Sequence, residues 1–263
     1  MSATLQPIVY PRIIAHRGGG ALAPENTLAG LHIAARMGCR GVEFDVALTA
    51  DGVPILMHDE TLERTTNGTG FVANKTAAEI ARLDAGGKYH HAFAVEPAPT
   101  FQAALQTCAE LGLWANIEIK PTLGTEAETG RVVSTVVSTY VAAMMANSKP
   151  GTLLLSSFST LALQQAMHIA PGIPRALLTE SPPTDWREQL RACGASALHT
   201  AAAGITAELI APFCNGRIPL ACYTVNDRTV AAALFAAGVS AIFTDRIDLW
   251  TPQEMQGLVP LCP

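Results

Sequence analysis

The sequence predicts an α/β protein, a closed (β/α)8 TIM barrel with a small insertion after its second strand. Three observations carry that expectation. The chain has 263 residues, close to the ~250 typical of a single barrel. Short apolar runs rich in β-formers alternate with longer alanine- and leucine-rich stretches of helical period, in eight strand-then-helix units. Polar residues gather where the apolar runs end, the face at which barrel enzymes build their sites. An open, doubly wound sheet is the competing arrangement, and periodicity does not separate the two.

Arg12–Ala15 reads as the first strand, followed by a loop and a helix from about Thr27 to Met37. Gly41–Leu48 is the second strand, and the Asp51-Gly52 turn leads to a partner strand, Val53–Met57. Residues 59–99 are turn-rich, with Asn67-Gly68, Gly86-Gly87 and one short helix near Lys75–Leu83. This stretch is an excursion from the barrel, too short for a core of its own. The alternation then resumes with helix Thr100–Leu111, strand Trp114–Ile119, helix Glu126–Met145, strand Thr152–Ser156 and helix Thr160–Ala170. Strand Arg175–Leu178, helix Trp186–Cys193, strand Ala197–His199 and helix Thr206–Phe213 follow. Strand Pro219–Tyr223, helix Arg228–Ala237, strand Ala241–Thr244 and a helix after Leu249 complete the series. Residues 1–263 thus read as one domain, with its insertion at about 59–99.

Composition narrows the function. Hydrophobic residues make up 49% and charged residues 15%, which suits a large buried core. A net charge of −5 offers no basic patch for nucleic acid or an anionic membrane. An anionic small-molecule substrate would therefore need local cations or a metal ion. The six cysteines stand singly, without zinc-ligand spacing, and read as reduced thiols. No basic n-region followed by an apolar run opens the chain, and no uninterrupted apolar stretch reaches ~18 residues. The expected location is the cytoplasm.

Glu43 and Asp45 lie two apart on the second strand, so both point to one face while Phe44 and Val46 point to the other. Glu118 and Lys120 repeat the geometry on the third strand, with Ile117 and Ile119 outward. Three carboxylates and an ammonium would converge in one cavity, where unpaired charge costs several kcal/mol. A divalent cation on Glu43, Asp45 and Glu118 resolves this, and all-oxygen ligands favour Mg²⁺, Ca²⁺ or Mn²⁺. The competing reading is a buried ion-pair network, Lys120 with Glu118 and Arg17 with Glu43. His16 and His58 fall at strand ends beside this cluster and suit acid–base chemistry near neutral pH. His199 is expected to line the pocket without transferring protons. The Gly18–Gly20 run lacks the features of a nucleotide loop and is expected to let a substrate approach the backbone.

The motifs together resemble the glycerophosphodiester phosphodiesterases. They are His16-Arg17-Gly18, Pro24-Glu25-Asn26-Thr27, Glu43-Phe44-Asp45, His58-Asp59, Arg64-Thr65-Thr66-Asn67-Gly68 and Asn116-Ile117-Glu118-Ile119-Lys120-Pro121. Tyr223-Thr224-Val225-Asn226 and Thr244-Asp245 look like closing motifs. Pro11–Thr27 and Asn116–Pro121 are most similar to the cytosolic bacterial branch. The resemblance implies one divalent ion on Glu43, Asp45 and Glu118, catalytic roles for His16 and His58, and a phosphate held by Arg17 and Lys120. It also implies hydrolysis of glycerophosphodiesters to glycerol 3-phosphate and an alcohol, with attack by the glycerol 2-hydroxyl as a first step. Tyr223 departs from the pattern: many members carry tryptophan there, and tyrosine keeps an aromatic wall while adding a hydroxyl. The polar excursion, with Lys88, Tyr89, His90 and His91, reads against an apolar strip for an acyl chain.

Overall fold

The computed structural model describes residues 8–146, 153–255 and 257–259. Residues 1–7, Thr152 (the expected start of a strand) and Cys262 lie outside the described residues. The elements run β1 (Tyr10–Pro11), β2 (Ile13–Ala15), α1 (Leu28–Met37), β3 (Gly41–Leu48), β4 (Pro54–Leu56), α2 (Ala77–Ile80) and α3 (Phe101–Leu111). They continue through β5 (Trp114–Ile119), α4 (Glu126–Ala146), β6 (Leu153–Ser157), α5 (Thr160–Ile169), β7 (Arg175–Thr179) and α6 (Trp186–Cys193). Last come β8 (Ala197–Ala201), α7 (Ala207–Gly216), β9 (Leu220–Tyr223), α8 (Arg228–Ala236), β10 (Ala241–Thr244), α9 (Pro252–Met255) and β11 (Leu258–Val259).

Strands β2, β3 and β5 to β10 pair in parallel and close on themselves through β10–β2 and β2–β3. The closed (β/α)8 barrel holds, and the open sheet is excluded. Helix ends follow local chemistry: Thr27 caps α1 by accepting from the Gly30 N–H, and Gly38 ends it at a φ of 93°.

β3 is long enough to do two jobs. Gly41 and Val42 pair with β2, while Val46–Leu48 pair with antiparallel β4. The hairpin carries the insertion, whose buried Leu62, Val72, Ile80, Ala85 and Ala98 pack with Ala47, Ile55 and Met57. The insertion therefore has a small apolar cluster but not a core of its own, completing it with side chains of β3 and β4. Its helix is a single turn with a Thr76–Glu79 capping box, shorter than expected.

Below the site the barrel interior is solid. Alanines at 176, 197, 221 and 241 leave room for Tyr10 and Trp114, whose ring centroids lie 5.5 Å apart, beside Ile14, Leu154 and Phe243. The expected helix after Leu249 shrinks to one-turn α9, and β11 returns to pair antiparallel with β1. Two-residue strands leave no periodic trace in a sequence. On the outside, Phe44, Val46, Ile117 and Ile119 join the layer between barrel and helices, as the alternation requires. Among the described residues, no helix is long and apolar enough to cross a membrane.

Candidate active site

β3 and β5 run in register, so Glu43 lies beside Asn116, and Asp45 beside Glu118. Glu43 and Asp45 are 3% and 1% exposed. One oxygen from each of Glu43, Asp45 and Glu118 falls within a 4.8 Å grouping. With Phe44 and Val46 committed to the helices, the acids have only the barrel mouth to occupy. They line a cavity of about 360 Å³ together with His16, Arg17, His58, Asn116, Lys120, Phe158, Leu178, Glu180, Tyr223, Thr224 and Phe243. The structure thus brings together all eight residues singled out from the sequence.

Electrostatics follow from this crowding. Burial, then the charges of Asp45 and Glu118, push the Glu43 carboxyl well above its ordinary range. Burial and the Asp45 charge lift Glu118 to about 7 despite Lys120. Burial opposes the charge on Lys120, yet Glu118 and Asp45, 3.2 and 3.6 Å away, outweigh it and raise its pKa. Glu43 Oε1 is buried without a hydrogen-bond partner. An orphaned carboxylate oxygen among three converging acids fits a divalent cation, which supplies the missing positive charge.

The loop after β2 is bent to serve this cluster. Arg17 adopts a φ of 50°, which costs on the order of 1–3 kcal/mol and aims its N–H at Glu43 Oε2, 2.9 Å away. Its Nη1 donates to Glu25 at 2.9 Å, so the guanidinium pairs with Glu25 and not with Glu43 as the competing ion-pair reading had it. Arg17 Nε lies 3.8 Å from Asp45 and is buried without a hydrogen bond. The glycines here make room for protein rather than substrate, because a Cβ on Gly20 would lie 2.4 Å from the Asp245 carbonyl oxygen. Asn26, also in the left-handed region, donates to Asp45 Oδ2 and accepts from its N–H, fixing that side chain.

Each candidate histidine has a carboxylate behind it. His16 Nδ1 lies 2.7 Å from Asp245 Oδ1, and its Nε2 is 3.9 Å from Glu43. His58 Nδ1 lies 2.7 Å from Asp59 Oδ1, and Arg64 grips both oxygens of Asp59 and both of Glu25. Burial holds the His58 pKa below its ordinary value, against the pull of Asp45 and Asp59. Nδ1–H donation to the carboxylates leaves Nε2 as each ring's acceptor. The orienting roles of Asp245, Asp59, Asn26, Glu25 and Arg64 were missed, although each stands in a motif quoted above.

Two placements correct the sequence reading. His199 does not line the cavity: it is fully buried in the barrel interior, its Nε2 hydrogen-bonded to the Tyr10 hydroxyl at 2.9 Å. It sits in the middle of β8, which runs two residues further than expected. The mouth is also less polar than expected, with Phe158 and Leu123 exposed by 45% and 95% on the loops after β6 and β5. Tyr223 donates its hydroxyl to the Thr179 carbonyl at 2.9 Å, which leaves the ring as its contribution to the wall.

Half-buried cations placed to meet an anion, beside carboxylate-backed histidines, are the equipment of phosphodiester cleavage. The sequence profile of the glycerophosphoryl diester phosphodiesterase family matches residues 16–249. A glycerophosphodiester phosphodiesterase of Caldanaerobacter subterraneus is 34% identical, over 89% of this chain and 93% of its own. One from Bacillus subtilis is 30% identical over 90% of this chain and 84% of its own. Among solved structures, an Oleispira antarctica phosphodiesterase in complex with the product sn-glycerol-3-phosphate superposes with a TM-score of 0.83 at 33% identity. That match covers 94% of this chain and 95% of the other. The chain belongs to the glycerophosphodiester phosphodiesterase family and is a phosphoric diester hydrolase.

Proposed function

We propose that the protein hydrolyses water-soluble glycerophosphodiesters, such as glycerophosphocholine and glycerophosphoethanolamine, to sn-glycerol 3-phosphate and the free alcohol. The observation that carries this reading is the placement of two carboxylate-backed histidines around one cavity with three acids and two cations. Glu43, Asp45 and Glu118 would hold one divalent cation, Mg²⁺ or Ca²⁺ with Mn²⁺ as a further option, which when bound neutralises charge building on the phosphate. Arg17 meets the phosphate with its unpartnered Nε, and Lys120 meets it as a point charge. One of His16 and His58 takes the proton of the attacking hydroxyl, and the other delivers a proton to the departing alcohol oxygen. Each transfer contributes ~10²–10⁴ in rate. Attack by the glycerol 2-hydroxyl makes a cyclic phosphate and releases the alcohol, and water then opens the ring. Tyr223 walls the cavity.

The test is release of glycerol 3-phosphate from glycerophosphocholine by dialysed protein, with EDTA and with Mg²⁺, Ca²⁺ or Mn²⁺ returned. Activity restored only by a divalent ion supports the reading; full turnover in excess EDTA refutes the metal assignment. A 2-deoxy analogue should bind yet turn over orders of magnitude more slowly, and equal turnover refutes attack by the 2-hydroxyl. Preference for long-chain lysophosphatidylcholine would move the substrate class to lysolipids.

A further inference from the structure

The cavity has two chemically different ends. The wall built by the ends of β2 to β5 carries the acids, the histidines, Arg17 and Lys120. The wall built by the ends of β6, β7 and β9 carries Phe158, Glu180 and Tyr223. The Phe158 and Tyr223 rings meet edge to face, centroids 6.1 Å apart and planes at 80°. The Tyr223 hydroxyl is tied to Thr179, so the ring cannot swing out of the wall without losing that bond.

Glu180 follows Thr179 directly and is exposed at the mouth. Among the described residues it makes no hydrogen bond or ion pair, whereas Asp45, Glu118 and Glu43 are each engaged by Asn26, Lys120 and the Arg17 N–H. Its charge is nevertheless felt in the cavity: burial first, then Glu180 and Glu118, raise the Tyr223 pKa. Aromatic faces attract a desolvated cation through their quadrupole, and do so without needing N–H donors from it. An uncompensated carboxylate at the same wall adds a long-range attraction of the same sign.

We infer that Phe158, Glu180 and Tyr223 form a subsite for a cationic alcohol of the choline class, so that the cavity reads a zwitterionic diester by both its charges. This rests on the function proposed above and adds the preferred leaving group. The phosphate lies toward Arg17 and Lys120, the ammonium toward the aromatic pair, and the alcohol leaves on the solvent side. A 360 Å³ cavity is within the ~300–1,000 Å³ that accommodates small ligands.

The test compares kcat/KM for glycerophosphocholine with that for its uncharged isostere, the 3,3-dimethylbutyl ester of sn-glycerol 3-phosphate. The same comparison is made in the variants Glu180→Gln and Phe158→Leu. The expected ratio is about tenfold in favour of the cation, the size of a partly desolvated cation–π contact with charge support. It should fall toward one in each variant. Because each variant is judged by a ratio within one preparation, partial misfolding does not mimic the result. Equal turnover of both esters by the parent protein overturns the subsite alone, as does a ratio that neither variant changes. Hydrolysis of neither ester overturns the underlying function, and the subsite with it.

Discussion

Oδ1 of Asp245 lies 2.7 Å from Nδ1 of His16, joining residues 229 apart in sequence. The contact sets the ring's orientation and tautomer, and it depends on Asn226, which holds Asp245 through its N–H and its Oδ2. On the proposed chemistry, Asp245→Asn should lower kcat by roughly 10²-fold with KM little changed. His16→Ala and His58→Ala should each cost ~10²–10⁴ in kcat. Steady-state kinetics with a matched melting curve decide; a histidine variant that keeps near-normal kcat is demoted to pocket lining.

Gly20 is pressed against the carbonyl of the same Asp245 and sits at a φ of 56°. Gly20→Ala should destabilise the protein by about 1–3 kcal/mol through backbone strain and displacement of that carbonyl. It should also lower kcat, because the displaced chain carries the partner of His16. Chemical denaturation and turnover of one preparation measure both, and an unchanged midpoint would refute the packing role.

Without a cation, the acid cluster should weaken the fold as pH rises. Glu118 titrates at about 7 in the folded protein, above its ordinary 4.5, so the folded state holds more protons between those values. The favourable contribution is complete below about 4.5 and is lost as pH climbs through about 7. Melting temperatures in EDTA should therefore decline from pH 5 to 8. Glu118→Gln should flatten the decline, and added divalent ion should remove it in the parent protein. A melting temperature in EDTA that is flat over this range would count against the crowding.

His199 has the opposite sign. Burial lowers its pKa from 6.5 to about 3, so unfolding takes up a proton in the interval between. Its contribution is complete above 6.5 and is lost as pH falls toward about 3. The double variant Tyr10→Phe/His199→Leu, which removes both partners of the buried bond, should lose part of the stability slope between pH 6.5 and 5. An unaltered slope in denaturant titrations would show that other groups set it.

The barrel and the acid cluster were legible because both are written in local periods. A two-residue spacing put Glu43 with Asp45 and Glu118 with Lys120, and the same alternation sent Phe44 and Ile117 outward. Nothing local connects Arg64 to Glu25 or Tyr10 to His199, pairs 39 and 189 residues apart. Those contacts exist only once the barrel closes and the insertion folds back over the mouth. His199 was misplaced for a related reason: a polar residue near a strand end resembles a site residue unless the strand's true length is known.

The apolar plug formed by Tyr10, Trp114, Ile14 and Leu154 seals the far end of the barrel. Among the described residues, traffic to the cavity therefore runs through the mouth opposite that plug. If the ammonium end of the diester rests nearer that mouth than the phosphate, the two products cannot depart in arbitrary order: choline must clear the threshold before glycerol 3-phosphate can follow. Product inhibition would record the queue, with glycerol 3-phosphate competing directly against substrate and choline inhibiting by a different pattern. The architecture of the floor would then be readable in the kinetics of the exit.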